Sequence, residues 1–214
     1  MNGPRRQFLA GAGALVIAGC AKPAESPKAA AEADVAPPED LMREHGVLDR
    51  IMLLYEHATT HDAPLDPVAR AADIVRRFIE DYHEKLEEDF LFPRFEKAGV
   101  LVDLAATLKK QHVAGRTLTA AILAAAQGGD RAKLADPVQR FVRMYRPHAA
   151  REDTVLFPAF RKIVSPKEFD ELGDRFEDKE HELFGKAGFE GVVDEVEKLE
   201  RALGIYDLGQ FTPA

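Results

Sequence analysis

Apolar residues recur at intervals of three and four along most of the chain, and no stretch alternates as a half-buried strand would. Leu41, His45, Leu48, Met52 and Tyr55 form the first stripe. Pro37-Pro38-Glu39-Asp40 opens it with acids in the first turn, and His61-Asp62-Ala63-Pro64 reads as the loop beyond it. Asp66-Pro67 starts a second helix, whose buried face is Ile74, Phe78, Ile79, Tyr82, Leu86 and Phe90. Pro93 is expected to kink or end it, with Gly99 as a stop. A third helix runs from about Val100 to Gln127 on the stripe Leu101, Leu104, Leu108, His112, Gly115, Thr119 and Ile122. Asp136-Pro137 opens a fourth, with Phe141, Met144, Tyr145, His148, Glu152 and Val155 inward and a loosened turn expected at Pro147. Ser165-Pro166-Lys167-Glu168 is a capping box for a fifth helix carrying Phe169, Leu172, Phe176, His181 and Phe184. A shorter helix from about Gly191 to Leu203 stops at Gly204, and the tail Ile205–Leu208 is apolar enough to dock.

The stripes contain histidines, and one segment occurs twice. His83-Glu84-Lys85-Leu86-Glu87-Glu88-Asp89-Phe90-Leu91-Phe92-Pro93 returns as His148-Ala149-Ala150-Arg151-Glu152-Asp153-Thr154-Val155-Leu156-Phe157-Pro158. Each copy holds a His, a Glu four residues on, a second acid and Leu-Phe-Pro. Residues i and i+4 share one helix face, about 6 Å apart along the axis. Each copy therefore aims an imidazole and a carboxylate at one point. His45 precedes the first copy and His112 the second, at nearly equal intervals. The order is a helix with His, then a helix with His-x-x-x-Glu, twice over. This predicts an all-α, antiparallel up-down four-helix bundle with a pseudo-two-fold repeat over 39–164, and a helical extension over 165–214.

Composition narrows the class. The chain has 214 residues, 46% hydrophobic and 31% charged, enough for one domain with appendages. A net charge of -8 argues against a nucleic-acid partner. Arg5-Arg6 before an uncharged run from Ala10 to Gly19 reads as a twin-arginine export signal over 1–20. The run is too short for a confident membrane span. It ends Ile17-Ala18-Gly19-Cys20, which resembles a lipobox, so Cys20 is the expected lipidation site and the one membrane anchor. Residues 21–38 read as a flexible linker. Cys20 is the single cysteine, which excludes an intramolecular disulfide and a thiolate metal site within one chain. The expected location is the periplasm or the outer face of the cell envelope.

Six side chains converge in this bundle: His45, His83, Glu87, His112, His148 and Glu152. Buried without partners, they would cost several kcal/mol per group. A pair of dications removes that cost. Imidazole with carboxylate suits iron, with zinc or manganese as alternatives. Two irons offer about a dozen coordination positions. Four His, two bridging Glu and a bridging oxygen ligand leave some open for a small molecule.

The six residues, their order and the two Leu-Phe-Pro tags resemble the haemerythrin-like HHE cation-binding family. The resemblance covers roughly 39–164 and extends through Glu180-His181-Glu182-Leu183-Phe184-Gly185 and Leu203–Leu208. It implies a carboxylate-bridged non-haem di-iron centre. The invertebrate oxygen carriers differ: they carry His-x-x-x-His on the third helix and an Asp on the fourth. Here Leu108 and Arg116 flank His112, and the second carboxylate is Glu152. His181 is a further candidate ligand, which would restore the carriers' count of five His.

These readings favour a binding protein for oxygen, nitric oxide or iron at the cell envelope. The alternative is an oxidoreductase acting on nitric oxide or peroxide with an external electron donor, since no flavin or nicotinamide site is evident. A structural helical lipoprotein is a third reading. Twin-arginine signals resemble those of proteins exported already folded, which suits a metal site loaded before export.

Overall fold

The computed structural model describes residues 35–213, and every element among them is helical. The residues read as an export signal, Cys20 and most of the expected linker lie outside the described residues. Helix α1 is Pro37–Thr60. Helix α2 spans 66–98 without a break: Asp66–Ile74, a π-helical stretch Val75–His83, one turn at Glu84–Leu86, a second π-helical turn Glu87–Leu91, and Phe92–Ala98. Helix α3 is Val102–Gln127. Helix α4 spans 131–163 as Arg131–Arg151, a π-helical turn Glu152–Leu156, and Phe157–Ile163. Helices α5, Pro166–Phe184, and α6, Gly188–Leu203, follow.

Short loops make sequence neighbours antiparallel, and α1–α2, α2–α3, α3–α4 and α4–α1 all pack together. The ring of four helices is the expected bundle. Its core includes Leu48, Ile51, Tyr55, Phe78, Leu108, Ile122, Phe141 and Phe160, all essentially inaccessible. Helices α5 and α6 lie against α1 and α2. Arg50 grips Glu200 through two hydrogen bonds of 3.0 and 2.6 Å, and Phe78 and Tyr82 meet Phe184 edge to face. No described helix is long and apolar enough to cross a membrane.

The prolines act differently from the sequence reading. Pro93 does not end α2, which runs on until Gly99 takes a left-handed conformation at φ 66°. The π-turn just before it closes with Phe92 N–H donating to the Glu87 carbonyl, five residues back. The second copy repeats this, Phe157 N–H to the Glu152 carbonyl, ahead of Pro158. The loosened turn on α4 therefore begins at Glu152, and the residues around Pro147 stay α-helical. Pro147 faces solvent, where water can satisfy the carbonyl its missing N–H leaves free.

Helix α4 also starts earlier than expected, at Arg131 rather than Asp136. Asp130 caps it by accepting from Lys133 N–H at 3.1 Å. The Arg131 guanidinium reaches the last turn of α1 and the α1–α2 connection, donating to the carbonyls of Ala58 at 2.8 Å, His61 at 3.0 Å, and Ala63. Ser165 does cap α5, accepting from Glu168 N–H. Of the tail, Ile205 is buried and Tyr206 lies under the Arg201 guanidinium, whereas Leu208 is 77% exposed.

Candidate metal centre

The apolar stripes bring His45, His83, Glu87, His112, His148 and Glu152 to the bundle axis, each at most 4% exposed. The i, i+4 pairs meet as expected: His83 Nε2 lies 3.7 Å from Glu87 Oε2, and His148 Nε2 lies 3.0 Å from Glu152 Oε2. The pairs also cross between halves. His112 Nε2 is 3.4 Å from Glu87 Oε2, and His45 Nε2 is 3.3 Å from Glu152 Oε2. Each carboxylate thus faces one imidazole from each half. Atoms of Glu87, His112, His148 and Glu152 lie within 4.8 Å of one another, as do those of His45, His83 and Glu152. The rings pair correspondingly, His45 with His83 at 4.7 Å and His112 with His148 at 5.1 Å between centroids.

The outer nitrogen of every ring is held. His45 Nδ1 donates to Asp153 Oδ1 at 2.7 Å and His83 Nδ1 to Glu44 Oε2 at 2.5 Å. His112 Nδ1 donates to Glu88 Oε1 at 3.1 Å and His148 Nδ1 to Gln111 Oε1 at 2.9 Å. With Nδ1 as donor, each ring in its neutral form presents the Nε2 lone pair inward, which is the tautomer a metal needs. The pattern obeys the two-fold. The acid after each Glu holds a ring of the other half, and the residue before each single His holds the ring of its own half.

The Leu-Phe-Pro tags complete this arrangement. A π-turn sets residue i+5 above residue i. It brings Phe92 against the His112 ring and Phe157 against the His45 ring, at 5.6 and 5.7 Å between centroids. Each copy of the repeat thus supplies an imidazole, a carboxylate, an anchor for a distant ring and an aromatic cover for it.

The polar atoms aimed at the centre are orphaned. Both oxygens of Glu87, both of Glu152, and Nε2 of His45 and His112 are buried without a hydrogen-bond partner. Their protonation reflects the crowding. Burial, then the Glu152 charge, pushes the Glu87 carboxyl up. Burial would also raise Glu152, but His148 and His45 draw it well below the usual carboxylate range. Burial alone would lower His45 and His112, but the carboxylates beside them, Asp153 and Glu152 at His45 and Glu87 and Glu88 at His112, raise both to about 10. Burial outweighs the neighbouring carboxylates at His83, which falls to about 4. Orphaned nitrogen and oxygen donors of mixed charge converging at one point fit divalent metal.

Beside the centre lies a further network that the sequence reading did not foresee. Arg116 pairs with Glu84 at 2.9 Å and Glu88 at 2.7 Å, and the Tyr145 hydroxyl donates to Glu84 at 2.7 Å. Gly115 makes this possible, since a Cβ there would overlap the Tyr145 hydroxyl. Glu44 and Gln111 were also missed, although their shared offset before His45 and His112 was visible in the half-repeat. His181 sits on the exposed side of α5 and joins none of the convergent groups among the described residues.

Four imidazoles and two carboxylates enclosed by four antiparallel helices define a helical bundle built around a metal site. Comparison with known families agrees. Residues 36–160, and again 103–204, match the model described as Hemerythrin HHE cation binding domain. The chain belongs to the haemerythrin HHE cation-binding family. The two matches overlap on α3 and α4, as a duplicated hairpin allows, but α5 and α6 carry no His-x-x-x-Glu. Similar proteins include an uncharacterized protein of Mycobacterium bovis and one from each of two Mycobacterium tuberculosis strains. Each is 48% identical over 194 residues, covering 86% of this chain and 76% of the relative. No solved structure matches the chain significantly.

Proposed function

We propose that the chain holds two non-haem iron ions bridged by Glu87 and Glu152, and that the centre takes up a small ligand such as oxygen or nitric oxide, or holds iron, at the cell envelope. The observation that carries this reading is the crossed pairing. Each carboxylate lies between an imidazole of one half and an imidazole of the other, with both oxygens free of hydrogen bonds. His45 and His83 would hold one ion, and His112 and His148 the other. Bound iron would supply one-electron redox chemistry and coordination positions beyond those the protein fills. The chain's residues do the remaining work. Asp153, Glu44, Glu88 and Gln111 fix ring orientation, while Phe92 and Phe157 shield two of the rings from water. Arg5-Arg6 and Cys20 support export by the twin-arginine route and a lipid anchor.

Metal analysis of purified protein tests the first part. About two irons per chain and near-ultraviolet charge-transfer absorption are expected. Stoichiometric zinc, or no metal, would sink the di-iron reading. Stopped-flow mixing of the reduced protein with oxygen, nitric oxide and peroxide tests the second. A persistent spectral change reversed by removing the gas supports binding, whereas multiple turnovers with an added electron donor support catalysis.

A further inference from the structure

A second group of carboxylates adjoins the centre on the side of α1 and α5. Asp40 and Glu44 lie four residues apart on α1, Glu180 comes from α5, and ligating oxygens of all three lie within 4.8 Å of one another. Glu44 is wholly buried. Its Oε2 accepts from His83 Nδ1, and its Oε1 has no hydrogen-bond partner. The Tyr82 hydroxyl, also buried and unpartnered, faces the same acids.

Glu180 is held there by specific structure. Its Oε1 accepts from Phe189 N–H at 2.8 Å at the start of α6. It comes so near Gly188, at φ 44°, that any Cβ there would collide with it. Among the described residues, no side-chain cation pairs with Glu180, and Glu44 pairs only with His83. Arg43 lies 3.6 Å from Asp40 but is directed to Glu190 at 3.0 Å. Burial first, and then the charges of Glu44 and Glu180, raise Asp40 to about 7 against an opposing pull from Arg43. The acids across the centre differ: Glu84 and Glu88 both pair with Arg116, and Glu88 pairs with Lys85 as well.

We propose that Asp40, Glu44 and Glu180 form an outer site for a hard divalent cation of the Mn2+ type, joined to the inner centre through Glu44. Three carboxylates with a phenol nearby and no nitrogen or sulfur donor select for such an ion. Because one oxygen of Glu44 serves His83, an ion on the other weakens that hydrogen bond and alters the inner centre.

The test is titration of the metal-loaded protein with Mn2+, free Mn2+ being followed by electron paramagnetic resonance and inner metal by elemental analysis. One saturable Mn2+ is expected beyond the inner ions. Asp40→Asn and Glu180→Gln should each weaken it about tenfold or more, with inner metal content unchanged and no fall in melting temperature. Mn2+ should also shift the absorption of the inner centre in the wild type but not in Glu180→Gln. Absence of saturable Mn2+ in the wild type, or binding untouched by both substitutions, would overturn the proposal. Only Mn2+ beyond the inner ions is counted, so the binding result stands whether the inner centre holds iron or zinc, and the absorption shift is read on iron-loaded protein.

Discussion

Glu44 and Gln111 occupy equivalent places in the two halves: each precedes a ring histidine on its own helix and holds the next helix's histidine, His83 or His148, by Nδ1. They are chemically unlike, since one acceptor can carry charge and the other cannot. Removing either releases a ring whose inward nitrogen must be aimed. Gln111→Ala and Glu44→Ala should each lower metal affinity about 10–100-fold. Competition with a chromophoric chelator measures this, and wild-type affinity in both variants would deny the outer acceptors their orienting role.

The carboxylates should matter more than any single ring. Glu87→Ala and Glu152→Ala each remove oxygens that face imidazoles of both halves, so both ions are expected to be lost. The apoprotein of Glu87→Gln should melt at or above the wild-type apoprotein, because a crowded buried acid is gone. Elemental analysis and thermal melts give the two readings; full metal loading in either Ala variant would contradict bridging.

Metal uptake should expel protons. In the apoprotein His45 and His112 are raised to about 10, above the unfolded value of 6.5, so both carry protons at neutral pH. A ligating imidazole must be neutral, so loading at pH 7.5 should release about two protons per chain from these rings, and affinity should rise with pH. The stability they lend the apoprotein is complete below pH 6.5 and is lost as pH rises toward 10. His83, lowered to about 4, acts oppositely: it costs stability as pH falls from 6.5 toward 4. Indicator-dye titration during metal addition reads the proton count, and uptake without release would refute it.

Gly115 and Tyr145 should be coupled. A methyl group at Gly115 displaces the Tyr145 hydroxyl from Glu84, so Gly115→Ala should destabilise the fold by about 1–3 kcal/mol. Tyr145→Phe alone should cost about 1 kcal/mol. The double variant should cost less than the sum, as urea unfolding of all four proteins would show. Strict additivity would mean that the two side chains do not share the space.

The bundle and its six central residues were legible because burial, periodicity and the repeat all agreed. The histidines sit within apolar stripes, and the His-Glu spacing places both groups on one face. What was obscure depends on longer-range relations. Arg131 extends α4 backward because its partners are carbonyls of the last turn of α1 and the α1–α2 connection, far away in sequence. Pro93 looked like a breaker, yet the helix runs on through it after a π-turn, and the same turn precedes Pro158 in the second copy. His181 lies in a family-like segment, but α5 presents that residue to solvent and turns its neighbour Glu180 inward.

The crossed carboxylates also bear on ancestry. A single hairpin, α1 with α2, already has two imidazoles, one carboxylate, an acceptor for its own ring, an acceptor for a partner's ring and an aromatic cover for that ring. Paired with a copy of itself about a dyad, it would assemble an entire site. The present chain is built like such a dimer fused end to end. The two halves nevertheless differ: Glu44 of the first stands where the second has Gln111, and Arg116 of the second, which pairs with Glu84 and Glu88, stands where the first has Asp49.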